Sequence, residues 1–351
     1  MPRARLTAGS WRFESDRLDA IRAKMAAGRP TLAEVYGAPL CGVKTGLNEA
    51  FVLSRDQRDV LIAQDHRSAE LLKPFLVGEN LKRWHVESDD LWLIYTPKNR
   101  VDIDAYPAVR DYLLPYKERL ERRATKQEWW ELQQAQGAYE PAFGKSKVIW
   151  PEFSQGPKFS FDTAGTFPLN KVYFVPDARP RLVAQLGSKP SWFYLFGEAG
   201  SLRGGQWRLI TGEAALSRVP LSSSSDGEQL DVLATDIQDL CLELAGLVDS
   251  VVHRLADLDP RVGVTSAFRA WPDLSFADLR ALIAKRFRGL DFKVAERSEW
   301  ETWFEGERVK AAALRARIAD AENEINARVY ALFGLDRDEV AAIEETLAGQ
   351  Y

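Results

Sequence analysis

The pattern of hydrophobic and polar residues changes near residue 220. Before that point, short apolar runs rich in aromatic and β-branched residues are bounded by Gly, Pro or Asn, which is typical of β-strands. The clearest strand candidates are VIWPEF at 148–153, FSFD at 159–162, KVYFVP at 171–176 and WRLI at 207–210. The first part of the chain is therefore expected to contain mixed α and β structure.

Residues 105–135 interrupt the strand pattern. Apolar side chains recur there at spacings of three and four, at Val109, Tyr112, Leu113, Tyr116 and Leu120. This periodicity predicts a helix. Trp129 and Trp130 continue the helical pattern, and we expect them to pack in the core rather than to stack on a ligand.

The chain after residue 220 is predicted to be helical. The polar run SSSSDG at 222–227 has no periodicity and is the best candidate for a linker. Helical spacing then runs over 230–258 and 296–333. Gly334 is expected to end the second helix, and a last helix to begin with a capping box of Asp336 and Glu339, stapled by Leu335 and Val340.

These patterns predict an α+β fold, with a mixed, β-rich domain followed by an all-α helical domain. We expect the first domain to span residues 1–221, the linker 222–229, and the helical C-terminal domain 230–351.

Charge is distributed unevenly between the two parts. The 351 residues carry a formal net charge of −4, but residues 221–351 hold 15 Lys+Arg against 25 Asp+Glu, which leaves a net charge of +6 on residues 1–220. A site for a polyanion therefore belongs in the first part. Cys41 and Cys241 lie far apart, and no apolar run is long enough for a membrane span, so we expect no membrane partner and a cytoplasmic protein.

A search for catalytic motifs finds none. The three histidines are isolated from one another and from the cysteines, no Walker A loop occurs, and no Asn-Pro dipeptide provides the loop of an adenine methyltransferase. Pro176 and Asp177 are not followed by the Glu-x-Lys of a nuclease, and the Gly-rich stretch 196–205 lacks the spacing of a nucleotide-binding loop. We therefore expect no catalytic residue, metal ligand or cofactor site in this chain, and a binding function.

Four stretches, in order, resemble the TaqI-like C-terminal specificity domain of type IIG restriction-modification proteins and related adenine-specific DNA methyltransferases. They are GVKTGLNEAFVLS at 42–54, LLKPFLVGENLKRW at 71–84, WWELQQAQGAYEPAFGKSKVIWPEFS at 129–154 and RVYALFGLDRDEVAAIE at 328–344. Each stretch alone is a weak signal, but together they span nearly the whole chain. The resemblance implies a domain that recognises a short target in double-stranded DNA.

In that family a methyltransferase domain precedes the recognition domain, and this sequence does not contain it. The resemblance therefore implies a methyltransferase domain or subunit as a partner, and places S-adenosylmethionine and a divalent metal in that missing or partner portion. We expect the chain to be a fragment, a split gene product or a stand-alone specificity subunit of a site-specific adenine methyltransferase or type II restriction enzyme.

The candidate DNA-binding residues lie on turns and strand ends of the first part. They are Lys44, Thr45, Asn48, Lys82, Arg83, Lys145, Lys147, Ser154, Gln155, Lys158 and Arg203. Lysine and arginine suit phosphates, while Gln155 is the best candidate for reading a base, because glutamine can bind adenine through two hydrogen bonds. We expect Lys145 and Lys147 to lie on one face of the strand that enters VIWPEF.

Each of these residues also has a purely structural interpretation. Gly42, Gly46 and Asn48 could serve only to shape a tight turn, and the lysines could form a solvated charged face. Two other function classes stay open: a diverged methyltransferase or nuclease fragment with its own activity, and a protein-interaction scaffold without DNA binding.

Overall fold

The computed structural model describes residues 16–198, 201–202, 206–209, 215–222, 227–259, 262, 265–287 and 290–348. Every strand in these ranges lies before residue 210, and from Gly227 onward every described element is helical. The predicted α+β class, with a mixed sheet region followed by an all-helical region, is confirmed.

The first part contains eight α-helices in the ranges that the structure describes. They are α1 (Asp16–Ala26), α2 (Leu32–Tyr36), α3 (Asn48–Phe51), α4 (Arg55–Gln64), α5 (Pro107–Leu113), α6 (Lys117–Glu121), α7 (Pro180–Gly187) and α8 (Lys189–Glu198). Those after residue 226 are α9 (Gly227–Leu255), α10 (Ser266–Arg269), α11 (Phe276–Arg286), α12 (Arg297–Leu332) and α13 (Arg337–Ala348). Among the described residues, no helix combines the length and hydropathy needed to cross a bilayer.

Eleven short strands occur in the part of the chain that the structure describes. They are β1 (Leu40–Cys41), β2 (Val52–Leu53), β3 (Leu72–Leu76), β4 (Trp92–Ile94), β5 (Lys147–Pro151), β6 (Phe153–Ser154), β7 (Ser160–Asp162), β8 (Phe167–Pro168), β9 (Val172–Pro176), β10 (Ser201–Leu202) and β11 (Gln206–Arg208). The four stretches predicted as strands therefore contain strands β5 and β6, β7, β9 and β11.

The strands form three sheets. The first sheet has the order β1-β9-β5-β7 and is antiparallel throughout, with Val148 of β5 opposite Val175 on one side and Phe161 on the other. The second sheet has the order β2-β4-β3-β8, in which β3 and β8 run parallel. The third sheet has the order β10-β11-β6. One hydrophobic core contains residues from the first and second sheets, among them Ile149, Phe174 and Phe75.

Strand β5 is the central element of the first sheet. All five of its residues are buried, as is typical of a strand covered on both faces. Only Glu152 separates it from β6, which belongs to the third sheet, so the chain passes from one sheet to another at this residue.

The predicted helix over 105–135 is correct only in its first half. After α5 and α6 the chain continues in turns from residue 122 to 136. Arg123 contributes to the end of the helix, because its guanidinium group donates to the carbonyl of Leu120 in the last turn of α6. The same group donates to the carbonyls of Glu128, Trp129 and Glu131 and so holds the following loop in its turned conformation.

The chain divides into two compact units by its internal contacts. One unit contains residues up to Ala234 together with those from Ile325 onward, and the other contains Thr235–Glu324. The second unit has its own core of aromatic side chains, including Trp271, Phe276 and Phe304. Residues from 325 onward thus pack with the first unit, which differs from the division expected from the sequence; residues 223–226 of the predicted linker lie outside the described residues.

The end of α12 has the predicted form. Gly334 has a φ of +68°, and the amides of Gly334 and Leu335 donate to the carbonyls of Ala331 and Tyr330, which is a Schellman motif. The capping box of α13 is confirmed, since the Glu339 amide donates to Asp336 Oδ1 and the Asp336 amide donates to Glu339 Oε2.

Replacing Gly306 inside α12 and Gly334 just after it by alanine should change the stability of the protein in opposite directions. A methyl group added at either glycine would enter open space, and Gly306 is exposed. The two substitutions therefore change only how readily the backbone adopts the φ and ψ angles found there. We expect Gly334→Ala to lower the free energy of unfolding by about 1 kcal/mol, because alanine disfavours a positive φ, and Gly306→Ala to raise it by about 1 kcal/mol. Thermal unfolding followed by circular dichroism measures both; a stabilising Gly334→Ala would contradict the cap.

Candidate nucleic-acid interface

The Lys-Thr-Gly turn at residues 44–46 is fixed by hydrogen bonds on both sides. The backbone of Lys44 pairs with that of Gln134, with N to O distances of 2.8 and 2.9 Å. The buried Thr45 hydroxyl donates to Asn48 Oδ1 at 2.6 Å. Gly46 has a φ of +81°, and a Cβ there would lie 2.7 Å from the Arg123 side chain. Thr45 and Gly46 therefore shape the turn, and the prediction that the buried Thr45 hydroxyl contacts DNA is wrong, while Lys44 and Asn48 are accessible.

The side chain of Arg123 fixes this turn through hydrogen bonds to its backbone. Its Nη1 donates to the carbonyl oxygens of Thr45 at 3.1 Å and Glu131 at 2.7 Å, and the guanidinium group lies 5.6 Å from the centre of the Phe51 ring. Burial lowers the pKa of Arg123 from its usual value, and the carboxylate of Glu131 opposes that shift. A half-buried cation that donates to backbone carbonyls fixes the turn against the loop that follows α6.

The Lys-Thr-Gly turn forms the first wall of a cleft, and the main chain where β5 passes into β6 forms the second. The amide of Glu152 donates to Lys171 O, and its carbonyl accepts from Leu209 N, both at 2.8 Å. The loop that follows β6 carries the exposed residues Gln155 and Lys158. Ser154 is buried, and its hydroxyl donates to the carbonyl of Gly156, so the prediction that this hydroxyl contacts DNA is wrong for this conformation.

Between these walls lies a cleft of about 750 Å³ in the first unit. We name it the lysine cleft. It is lined by Lys44, Thr45, Gly46, Leu47, Asn48, Glu49, Gly78, Glu79, Gln133, Pro151, Glu152, Phe153, Lys158, Leu169, Asn170 and Lys171. The structure thus brings together four predicted residues from distant parts of the sequence: Lys44, Thr45, Asn48 and Lys158.

The cleft also contains polar residues that the sequence analysis did not select. Lys171 and Asn170 lie in the turn before β9, and Gln133 lies in the loop that pairs with the Lys-Thr-Gly turn. The only signal for Asn170 and Lys171 was a polar pair at the boundary of a predicted strand, which is also what an ordinary turn shows.

The charge balance of the lysine cleft favours anions. Within the described ranges, the ammonium groups of Lys44, Lys158 and Lys171 form no ion pair. Of the three carboxylates in the lining, Glu49 pairs with Arg119 at 2.6 Å and Glu152 pairs with Arg208 at 3.0 Å. Glu79 forms no ion pair within the described residues, so one unpaired carboxylate stands against three unpaired lysines. The hydrogen bond from Arg119 lowers the pKa of Glu49, so this group stays ionised and paired. The three lysines therefore keep their charge available to a ligand.

Lys82 and Arg83 lie outside the lining of this cleft. The ammonium group of Lys82 donates to the carbonyl of Glu79 at 3.0 Å and lies 3.5 Å from the Glu87 carboxylate. The guanidinium group of Arg83 lies 5.3 Å from the ring centre of the buried Trp84. Both cations already have partners within the protein.

Lys145 and Lys147 do not share a face. Lys145 is about half exposed and pairs with Asp177 at 2.5 Å. Lys147 is completely buried, with its ammonium group 2.6 Å from Asp162 Oδ2 and donating to Phe143 O at 2.7 Å. The prediction that Lys147 contacts phosphate is wrong for this fold, because both faces of β5 are covered. Burial lowers the pKa of Lys147, and Asp162 opposes that shift.

Three further predictions concern Arg203, the two neighbouring tryptophans and metal ligands. Arg203 lies outside the described residues. Trp129 and Trp130 pack partly buried against the core, with ring centres 5.6 Å apart, although not in a helix. Within the described ranges, no three His, Cys, Asp or Glu side chains converge as metal ligands would.

Comparisons with known proteins give two findings. A family model for a domain of unknown function (DUF8810) matches residues 223–329. Among solved structures, the chain is similar to the Type IIL restriction-modification enzyme MmeI in complex with DNA, with a TM-score of 0.45, 12% identity, and coverage of 89% of this chain and 35% of that chain. The chain thus spans about a third of the length of that structure. At this TM-score the similarity assigns neither family nor function.

The two neighbouring lysines permit a matched test of burial. Removing Asp162 would leave the Lys147 charge buried and uncompensated, so we expect Asp162→Ala to lower the free energy of unfolding by about 3–5 kcal/mol. Asp177→Ala removes the partner of the exposed Lys145 and should cost no more than about 1 kcal/mol. Urea unfolding of both variants measures the difference.

The double variant Lys147→Met with Asp162→Ala should recover the part of the loss that comes from the unpaired charge, but not the hydrogen bonds that Asp162 accepts from Ala164 and Thr166. Equal losses for the two single variants would show that Lys147 is not buried as described.

Proposed function

We propose that this chain is a sequence-specific DNA-binding module of a restriction-modification system, similar to the specificity domain of TaqI-like adenine methyltransferases. The observation that carries the proposal is the lysine cleft, where Lys44, Lys158 and Lys171 present unpaired charges, within the described residues, between two walls of fixed backbone. The two walls lie in the stretches 42–54 and 129–154, which are two of the four stretches on which the family resemblance rests.

The chemistry of the cleft suits DNA better than a small anion. Three lysines on separate loops can each neutralise a different phosphate, and each contact gains free energy by releasing a condensed counterion. The amides of Asn48, Gln133 and Asn170 lie among them and offer both donors and acceptors to base edges. Phosphate contacts would position the duplex, and the amides would read it.

The rest of the proposal follows from the family resemblance. The module would position a methyltransferase domain or subunit on its target adenine, and S-adenosylmethionine and any metal for cleavage would be bound by that partner. The helical residues after 221 carry a net charge of −10, which disfavours contact with DNA and suits packing against a protein instead.

Binding of the full chain to duplex DNA should depend steeply on salt. With three lysine contacts, the slope of log affinity against log salt is about −2.7, so raising salt from about 50 to 200 mM should weaken binding about 40-fold. Alanine at Lys44, Lys158 or Lys171 should each flatten the slope by about 0.9 and weaken binding to all sequences alike. Fluorescence anisotropy with a labelled duplex measures both quantities.

Lys126→Ala is the matched control, since Lys126 is exposed, forms no ion pair within the described residues and lies outside the cleft. It should leave the slope unchanged. Equal effects from Lys126 and the cleft lysines, or binding that does not respond to salt, would contradict the proposed site.

A further inference from the structure

The Glu152 carboxylate is an unexpected group in a cleft suited to a polyanion. Its side chain is only 13% exposed, whereas that of Glu49, the other carboxylate paired with arginine in the cleft, is 66% exposed. A negative charge near a phosphate binding site reduces affinity for every DNA sequence. A role in affinity therefore does not explain Glu152.

The position of this carboxylate is fixed more firmly than that of a surface glutamate. Its backbone is hydrogen-bonded on both sides, to Lys171 and Leu209, where the chain passes from the first sheet to the third. Arg208, opposite Phe153 in the β6–β11 pairing, holds the side chain. A group held by the scaffold in this way is suited to precise recognition.

The ion pair uses only one of the two carboxylate oxygens. Arg208 donates to Glu152 Oε1 from Nε at 3.1 Å and from Nη2 at 3.0 Å. No described residue donates to Oε2, and Glu152 lines the cleft. An ionised carboxylate only accepts hydrogen bonds, so Oε2 is available to accept one from a donor on a ligand.

On a base edge in the major groove, the donors are the exocyclic amino groups, N4 of cytosine and N6 of adenine. The carbonyl oxygens of guanine and thymine occupy the equivalent place and would be repelled by a carboxylate. The same charge that lowers affinity for phosphate thus discriminates between bases.

We propose that Glu152 is a specificity-determining residue, whose Oε2 accepts a hydrogen bond from the exocyclic amino group of a cytosine or adenine while Arg208 orients the carboxylate. This inference rests on the proposed function and names the base chemistry that the same cleft selects. Glu152 requires an amino-bearing base at one position of the target, and the three lysines bind the backbone around it.

The test compares Glu152→Gln with Glu49→Gln in the full chain. Each variant removes one negative charge that is paired with arginine, so both should raise affinity for non-specific duplex DNA. Both variants replace an acceptor-only group with one that can also donate, but only Glu152 is proposed to contact a base, so Glu152→Gln alone should relax the preference at one base pair, with carbonyl-bearing guanine or thymine gaining about tenfold. Binding selection from a randomised duplex library, followed by sequencing, measures these preferences and shows whether cytosine or adenine is chosen.

A second measurement needs only the unsubstituted chain and so does not depend on the folding of a variant. In the selected duplex, replacing the chosen base by an analogue without its amino group, 2-pyrimidinone for cytosine or purine for adenine, should weaken binding about tenfold. An unchanged preference in Glu152→Gln, the same shift in Glu49→Gln, or full affinity for the analogue overturns the role of Glu152. If the unsubstituted chain binds no DNA at all, the proposed function fails instead.

Discussion

The lysine cleft depends on how the main chain is held at Glu152. The residue donates to the first sheet through Lys171 and accepts from the third sheet through Leu209, so the two sheets are joined at one residue. Because β5 is buried on both faces up to Pro151, the chain has little freedom in where it emerges. The loop that carries Lys158, the turn that carries Lys171 and the Arg123-supported turn with Lys44 then line one cleft together with Glu152.

Pairing decides which positive charges are available to a ligand. Many of the basic residues in the first unit are matched to a carboxylate, such as Lys145 to Asp177 and Arg119 to Glu49. A matched pair on the surface contributes little to stability, but it removes a charge from use by a ligand. The three cleft lysines are therefore significant because they are unmatched among the described residues and adjacent, and not because this part of the chain is strongly basic.

The residue pattern predicted strands β5, β6, β7, β9 and β11 and helices α5, α6, α9, α12 and α13, but it missed the other described strands and helices and much of the surface. Strands with aromatic and β-branched runs, and helices with periods near 3.6, were found because those patterns reflect local burial. The helix end near Arg123 was missed because the apolar spacing gives no sign that this side chain binds carbonyls of α6 and of the loop that follows it. Lys147 was misplaced because alternation along a strand gives no indication of exposure when both faces are covered, and only the partner Asp162 makes its burial tolerable.

The cleft itself followed only in part from the sequence. Lys44, Asn48 and Lys158 were selected because turns expose polar groups, and the structure places them together. Lys171, Asn170 and Glu152 were not selected, since their importance comes from pairing between strands that are distant along the chain. A strand boundary suggests which residues are exposed, although Lys147 and Ser154 at such boundaries are buried, and only the sheet order shows which exposed residues are neighbours.

The central claim is that DNA occupies the lysine cleft, and lysine acetylation footprinting tests it most directly. The full chain is treated briefly with an acetylating reagent, with and without excess duplex DNA, and the modified lysines are quantified by mass spectrometry. The account predicts that DNA protects Lys44, Lys158 and Lys171 while Lys126, and Lys293 and Lys310 in the second unit, react as before. Uniform protection, or protection that is confined to lysines outside the cleft, would contradict it.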